Sequence, residues 1–386
     1  MVIDSLSPFI PRTPPAEGLN PPIAMPDEQT PLLDTAKVVE GEMPTPPPSI
    51  PAPGPRSQDA VTVTSGSKPR HLPQAIAHRG YKAAAPENTM LAFRAAVEVG
   101  AHAVETDLHL SKDGVVVLSH DATLKRCFGF DAKVRDCDWS YLSTLRTLQE
   151  PAESLPRLKD LLEYLNEGAL EHVWIMLDIK TDDDAAELMR KTAETIASVP
   201  GIRPWSERIL PCCWTAEYVK LTQTLLPGFP IAHVGVNTAY ARALADHVPE
   251  LGLSILAHAL ATPVLGPRFL RDMRRAGHRV YSWTVNDEDW MRWAVRERLA
   301  GVITDDPKLF LDVCRRVCEE EDGTKEGGGV LALVRRRSST VRARVAAAPG
   351  RLFFWIRYFV FQLILTVIYL VRWGLPSTQV PKVLGS

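Results

Sequence analysis

The chain of 386 residues predicts a (β/α)8 TIM barrel, an α/β fold, for its central region. Three observations carry that prediction. From Gln74 to about Glu320, short apolar runs alternate with amphipathic helical stretches. Several of the runs are apolar on both faces, as strands buried in a parallel sheet must be. Eight such runs occur, the number that closes a barrel, and the region has about the 250 residues usual for that fold.

In order, strands are expected at Ala75 to Arg79, Ala103 to Leu110, Trp174 to Lys180, Ile209 to Trp214, Ile231 to Val236, Leu253 to Ala257, Arg279 to Val285 and Gly301 to Thr304. Helical stretches fall at Glu87 to Val99, Asp183 to Ser198, Ala216 to Leu226, Tyr240 to His247, Pro267 to Ala276, Asp287 to Arg298 and Lys308 to Glu320. Asn88 ahead of Leu91, Phe93, Ala96 and Val97 reads as a cap in front of an apolar stripe. After the second strand, Gly114 to Asp121 reads as an insertion whose Val115-Val-Val-Leu118 forms an additional strand. A barrel of this kind carries its functional site at the C-terminal ends of the strands.

The flanks differ in kind. Residues 1–73 are rich in Pro, Ser, Thr and Gly, offer little apolar surface to offset ordering entropy, and are expected to form a disordered arm. Residues 321–351 form a connector that turns basic at Arg335, Arg336, Arg337, Arg342, Arg344 and Arg351. Residues 352–375 are apolar, and 376–386 are a short tail. Between Arg357 and Arg372 lie 14 uncharged residues, fewer than the ~20 that span a bilayer. The stretch crosses only if both arginines snorkel; otherwise it lies in the interface or re-enters. Either way a membrane surface is the expected partner, with the basic linker on its cytosolic side near anionic lipid.

Composition narrows the rest. A net charge of −2 gives no general attraction to polyanions, and no basic groove signal lies outside the linker, so nucleic acid is not an expected partner. The six cysteines form no C-x-x-C pair and read as reduced thiols; even Cys314 and Cys318, one helical turn apart, read as packed rather than metal-bound. Met1-Val-Ile-Asp-Ser-Leu-Ser7 has no basic n-region or apolar h-region. The expectation is a cytosol-facing domain attached to a membrane such as the endoplasmic reticulum, a lipid droplet or the mitochondrial surface.

Chemistry concentrates at the strand ends. Glu105 and Asp107 sit at i and i+2, so both side chains share one strand face, and paired carboxylates hold a hard divalent cation, Mg²⁺ or Ca²⁺. Asp178 offers a third oxygen from the next strand, with Lys180 on its face. His78 and His120 supply an acid/base pair, which splitting a phosphodiester requires. Arg79 supplies a planar charged fork for phosphate oxygens. Asn88, Trp283 and Asp305 are expected at the pocket wall.

His78-Arg-Gly80, Pro86-Glu-Asn-Thr89, Glu105-Thr-Asp107 and His120-Asp121-x-x-Leu124, in that order and spacing, resemble the glycerophosphodiester phosphodiesterase family. The resemblance runs from about Ala75 to Pro307 and takes in Trp283-Thr-Val-Asn286 and Thr304-Asp-Asp-Pro307. It implies a (β/α)8 barrel with a divalent cation, catalytic His78 and His120, metal ligands Glu105 and Asp107, and phosphate contacts Arg79 and Lys180. Two departures stand out: Asp178 where the family often has Glu, and Arg126-Cys-Phe-Gly129 where it usually has Arg-Thr-Thr-x-Gly. With Met176-Leu-Asp-Ile-Lys180 and the apolar C-terminal stretch, they resemble the membrane-attached fungal branch of phosphatidylglycerol-specific phospholipase C.

That resemblance implies a glycerophospholipid substrate, phosphatidylglycerol, cleaved to diacylglycerol and glycerol 3-phosphate by attack of the head-group hydroxyl vicinal to the phosphoester. One rival expectation is a glycerophosphodiester phosphodiesterase or lysophospholipase D that releases a head-group alcohol from the same site. Another is a membrane-tethered binding module that has lost catalysis.

Overall fold

The computed structural model describes residues 71–326, Val380 and residues 382–384. The expected arm up to residue 70, the linker beyond residue 326 and the apolar stretch 352–375 lie outside the described residues. No helix among the described residues is long and apolar enough to cross a membrane.

Nine strands are described: β1 (Gln74–His78), β2 (Ala103–Leu110), β3 (Val116–Leu118), β4 (Trp174–Ile179), β5 (Ile209–Cys213), β6 (Ala232–Gly235), β7 (Gly252–Leu256), β8 (Val280–Trp283) and β9 (Gly301–Thr304). All except β3 pair in parallel in chain order, and β1 pairs with both β2 and β9, so the sheet closes on itself. β3 lies antiparallel on β2 as an appendage. This is the expected (β/α)8 barrel.

Side-chain alternation divides each strand between two apolar layers. Ala75, Ala77, Val104, Leu108, Ile175 and Leu177 pack outward under the helices, whereas Ile76, Ala103, Trp174, Met176, Leu210 and Cys212 fill the barrel interior. Glu105 and Asp107 continue the inward series begun by Ala103, and Asp178 continues that of Trp174 and Met176. Register sets their height: His78 lies opposite Glu105, and Asp107 opposite Asp178. The polar residues thus occupy two successive inward levels, His78 with Glu105 and Asp107 with Asp178, above an apolar plug.

Local details differ from the expectations. β1 ends at His78, because Arg79 (φ 57°) and Gly80 (φ 78°) turn the chain through the left-handed region. A Cβ on Gly80 would stand 2.7 Å from the Ala92 backbone, so this turn needs glycine both for its φ and for the close approach of the following helix. That helix, Met90–Glu98, is capped by Thr89, whose Oγ1 accepts from the Ala92 N–H, and not by Asn88. The insertion extends far beyond Asp121 and has its own small core of Val117, Leu124, Phe128, Val134 and Leu142. It leads into a helix absent from the sequence reading, Leu158–Leu165, which buries Leu158, Leu161, Leu162 and Leu165 along one face. The final helix, Pro307–Glu326, continues past Glu320.

Candidate active site

Glu105 and Asp107 from β2 and Asp178 from β4 bring one carboxylate oxygen each to within 4.8 Å of one another. Two cations balance part of this charge. Lys180 Nζ lies 2.7 Å from both Asp107 Oδ1 and Asp178 Oδ2. Arg79 Nε lies 3.4 Å from Asp107 Oδ2, while the Arg79 backbone N–H donates to Glu105 Oε2 at 2.9 Å. Trp214 Nε1 donates to the other oxygen of Asp178 at 2.8 Å.

The titration of these groups follows from that arrangement. Burial, and then the charges of Asp107 and Asp178, push the Glu105 carboxyl well above the ordinary range. Burial also raises Asp178 despite Lys180 beside it. Burial acts in the same direction on Asp107, but Lys180 and Arg79 outweigh it and hold that carboxyl well below the usual range. With all three ionised, three carboxylates against two cations leave about one formal negative charge uncompensated. Three hard oxygen donors with excess negative charge fit a divalent cation of the Mg²⁺ or Ca²⁺ type.

Both histidines are anchored through the same ring atom. His78 Nδ1 lies 2.6 Å from Asp305 Oδ1, and Asn286 Nδ2 holds the second Asp305 oxygen at 2.8 Å. His120 Nδ1 lies 2.7 Å from Asp121 Oδ1, whose other oxygen accepts from Arg126 Nε at 2.7 Å. An ionised carboxylate only accepts, so each Nδ1 carries a proton and each Nε2 remains for exchange. Burial holds His120 below its ordinary value, which favours the neutral ring. Glu87 ties the loops together, accepting from Arg79 at 2.8 Å and from both arms of the Arg126 fork. Burial opposes its ionisation, but the hydrogen bonds and charges of Arg126 and Arg79 bring its pKa down to about 2.

One cavity of about 130 Å³ gathers His78, Arg79, Glu105, Asp107, His120, Asp178 and Lys180. Trp214, Val234, Trp283 and Ile303 form its other side, with the two indoles edge-to-face at 6.0 Å and Trp283 Nε1 donating to the Ser254 carbonyl. Asn88 stands apart from the expectation. It is buried behind the cavity wall, donating to Asp107 Oδ2 at 2.9 Å and accepting from Thr106 Oγ1, so it aims a carboxylate rather than facing the pocket. Asp305 reaches the site through His78.

Glu87, Asp121, Arg126 and Trp214 were given no role by the sequence reading. Glu87 and Asp121 stand inside quoted motifs, and Trp214, just past the end of β5, follows Leu210 and Cys212 at inward parity. Those signals were present. Arg126 stands in the quoted Arg126-Cys-Phe-Gly129 segment, but its bonds to Glu87, 39 positions away, leave no local pattern beside the one to nearby Asp121.

The model of the glycerophosphoryl diester phosphodiesterase family matches residues 78–309. Glycerophosphodiester phosphodiesterase 1 of Mus musculus is 35% identical over 270 residues, which cover 62% of this chain and 79% of that protein. Lysophospholipase D GDPD1 of Rattus norvegicus is 28% identical over 283 residues, covering 64% and 88%. The solved structure of an Oleispira antarctica phosphodiesterase in complex with the product sn-glycerol-3-phosphate shares the fold, with a TM-score of 0.55 and 23% identity over 63% of this chain and 96% of that one. The chain belongs to the glycerophosphoryl diester phosphodiesterase family, a family of phosphoric diester hydrolases that use a divalent cation.

Proposed function

We propose that the protein cleaves a glycerophospholipid whose phosphate carries a glycerol with a free vicinal hydroxyl, with phosphatidylglycerol as substrate and diacylglycerol and glycerol phosphate as products. The observation that carries this reading is the pair of carboxylate-anchored histidines sharing one small cavity with the acidic cluster. The glycerol hydroxyl attacks phosphorus. As the new P–O bond forms, Nε2 of one histidine takes the hydroxyl proton; as the ester bond to diacylglycerol breaks, the other histidine protonates the departing alkoxide. Water then opens the cyclic phosphodiester with the two roles exchanged. Arg79 and Lys180 hold the phosphate oxygens where charge builds. Glu105, Asp107 and Asp178 would hold a divalent cation, which would supply further stabilisation of that charge.

Size and surface support a lipid. The cavity of about 130 Å³ is smaller than the ~300–1,000 Å³ that encloses a drug-sized ligand; it suits a glycerophosphate head while the acyl chains stay outside. On the insertion that carries His120 and Arg126, Phe130, Tyr141 and Leu148 are 46%, 41% and 63% exposed. The apolar stretch 352–375 and the basic linker before it complete the proposal as a membrane attachment that keeps the barrel on the cytosolic surface and concentrates it on its substrate, with residues 1–70 outside the described part.

The name of the rat relative supports a second reading, lysophospholipase D action, in which the attacking hydroxyl belongs to the lysolipid glycerol and a head-group alcohol departs. Both readings require a vicinal hydroxyl. The test of that requirement is an analogue of phosphatidylglycerol whose head group is propane-1,3-diol, presented in vesicles to the full-length protein. The proposal expects no turnover of the analogue beside ready turnover of phosphatidylglycerol, and comparable rates on both would refute hydroxyl attack.

A further inference from the structure

At the opposite end of the barrel from the histidines, a cavity of about 340 Å³ opens where β1, β8 and β9 begin. His71, Arg274, His278, Arg279 and Arg298 line it, and none of the described residues lining it is acidic. Two helices, Leu265–Arg275 and Glu288–Arg296, end beside it. Their C-terminal dipoles contribute about half a negative charge each, less than the arginines supply. Arg274 caps one of these ends by donating to the Glu297 carbonyl. The Arg298 guanidinium makes no hydrogen bond or ion pair among the described residues.

A second observation comes from inside the barrel. Tyr281, only 2% exposed, also lines this cavity, yet its hydroxyl has no hydrogen-bond partner among the described residues. Burial pushes its pKa up to about 12, so it remains a neutral O–H donor. The potential is felt locally as well: burial, and then Arg298 and Arg274, hold His71 below its ordinary value.

We propose that this cavity is a second, non-catalytic site for a phosphate-bearing anion, gripped by Arg274 and Arg298 with the Tyr281 hydroxyl as an inner donor. Planar guanidinium forks match phosphate oxygens, and the Tyr281 hydroxyl, on a residue that lines the cavity, is a neutral donor that a charged acceptor there can use. The face also fits a lipid phosphate. The chain enters the barrel there at His71, and the helix Pro307–Glu326, which starts at the catalytic end just after β9, runs back toward it.

The test titrates the full-length protein with inorganic pyrophosphate by calorimetry, and measures co-sedimentation with phosphatidylcholine vesicles with and without phosphatidic acid. Wild type is compared with Arg274→Gln/Arg298→Gln, Arg298→Gln alone, Tyr281→Phe and, as a control for the catalytic cavity, Arg79→Gln. The proposal expects a pyrophosphate-binding step that weakens about tenfold or more in each bottom-face variant and persists in Arg79→Gln, which removes only binding at the catalytic cavity, with basal turnover kept in Arg298→Gln, which removes no existing bond. A drop, in the same variants, of the binding that phosphatidic acid adds over phosphatidylcholine alone would assign the site to a lipid head group. Vesicle binding equal to wild type, with pyrophosphate binding weakened, would assign it to a soluble anion. Loss in Arg79→Gln alone, or equal affinity in every variant, would overturn the proposal.

Discussion

The two sides of the catalytic cavity are built on different principles. On the side of β1, β2 and β4 nearly every inward group is charged, and each is held by another: Asp107 by Lys180, Arg79 and Asn88, and Glu87 by Arg79 and Arg126. On the side of β6 to β9 the lining is Val234, Ser254, Trp283 and Ile303, with Trp214 at the junction bonded to Asp178. The charged side can hold a phosphate and change its bonding, whereas the apolar side can only shape and exclude. Substitutions on the first should therefore lower kcat, and those on the second should act mainly on KM.

The largest expected effect is at Asp107, where the charge network meets the candidate metal oxygens. Asp107→Asn keeps the shape but removes the charge that faces Lys180 and Arg79, and should lower kcat/KM by about a thousandfold or more. Chelation should abolish turnover of the wild type, and added Mg²⁺ or Ca²⁺ should restore it; full activity in excess chelator would remove the metal from the account. Next comes His120→Ala, with an expected loss of about 10²–10⁴ in kcat. A rate within threefold of wild type would deny His120 a proton-transfer role.

The junction should give an intermediate result. Trp214→Phe keeps the ring but leaves Asp178 without one of its donors, so both kcat and KM should move, by about tenfold in kcat/KM. Trp283→Phe lies wholly on the apolar side, where only the bond to the Ser254 carbonyl is lost. Its KM should rise by a few fold with kcat nearly unchanged, and a kcat loss as large as that of Trp214→Phe would erase the distinction between the two sides.

The smallest effect concerns stability rather than rate. Burial lowers His102 and His233 to about 4, below the ~6.5 of an unfolded chain. The folded state therefore binds fewer protons between those values. Stability from these two rings is complete above about pH 6.5 and is lost as pH falls toward 4, by up to about 3 kcal/mol per ring. Urea midpoints measured across that range should fall, and a flat profile would show that the rings are not buried as described.

The sequence made the charged side far easier to read than its support. Strand parity alone put Glu105 and Asp107 on one face, since alternation is a local property, whereas the register that sets Asp178 opposite Asp107 came only with the fold. The whole barrel was legible for the same reason: each strand announces itself by its own apolar run. Asn88 was misread as a cap because a capping Asn and an Asn that aims a carboxylate look alike before tertiary contacts exist, and Thr89 was the better cap. Leu158–Leu165 carried a clear helical stripe, but it followed an insertion whose turns masked where regular structure resumed. Arg126 and Asp305 act through residues 39 and 227 positions away, and no local pattern encodes such pairings.

The central claim is that a head-group hydroxyl displaces diacylglycerol on the charged side of this cavity. Its most direct test is mass-spectrometric analysis of products from mixed phospholipid vesicles incubated with purified full-length protein and Mg²⁺ or Ca²⁺, beside a His78→Ala control. The account predicts diacylglycerol and glycerol phosphate from phosphatidylglycerol alone, absent in the control. Turnover of phosphatidylcholine at a comparable rate, or release of head-group alcohols in place of diacylglycerol, would contradict it.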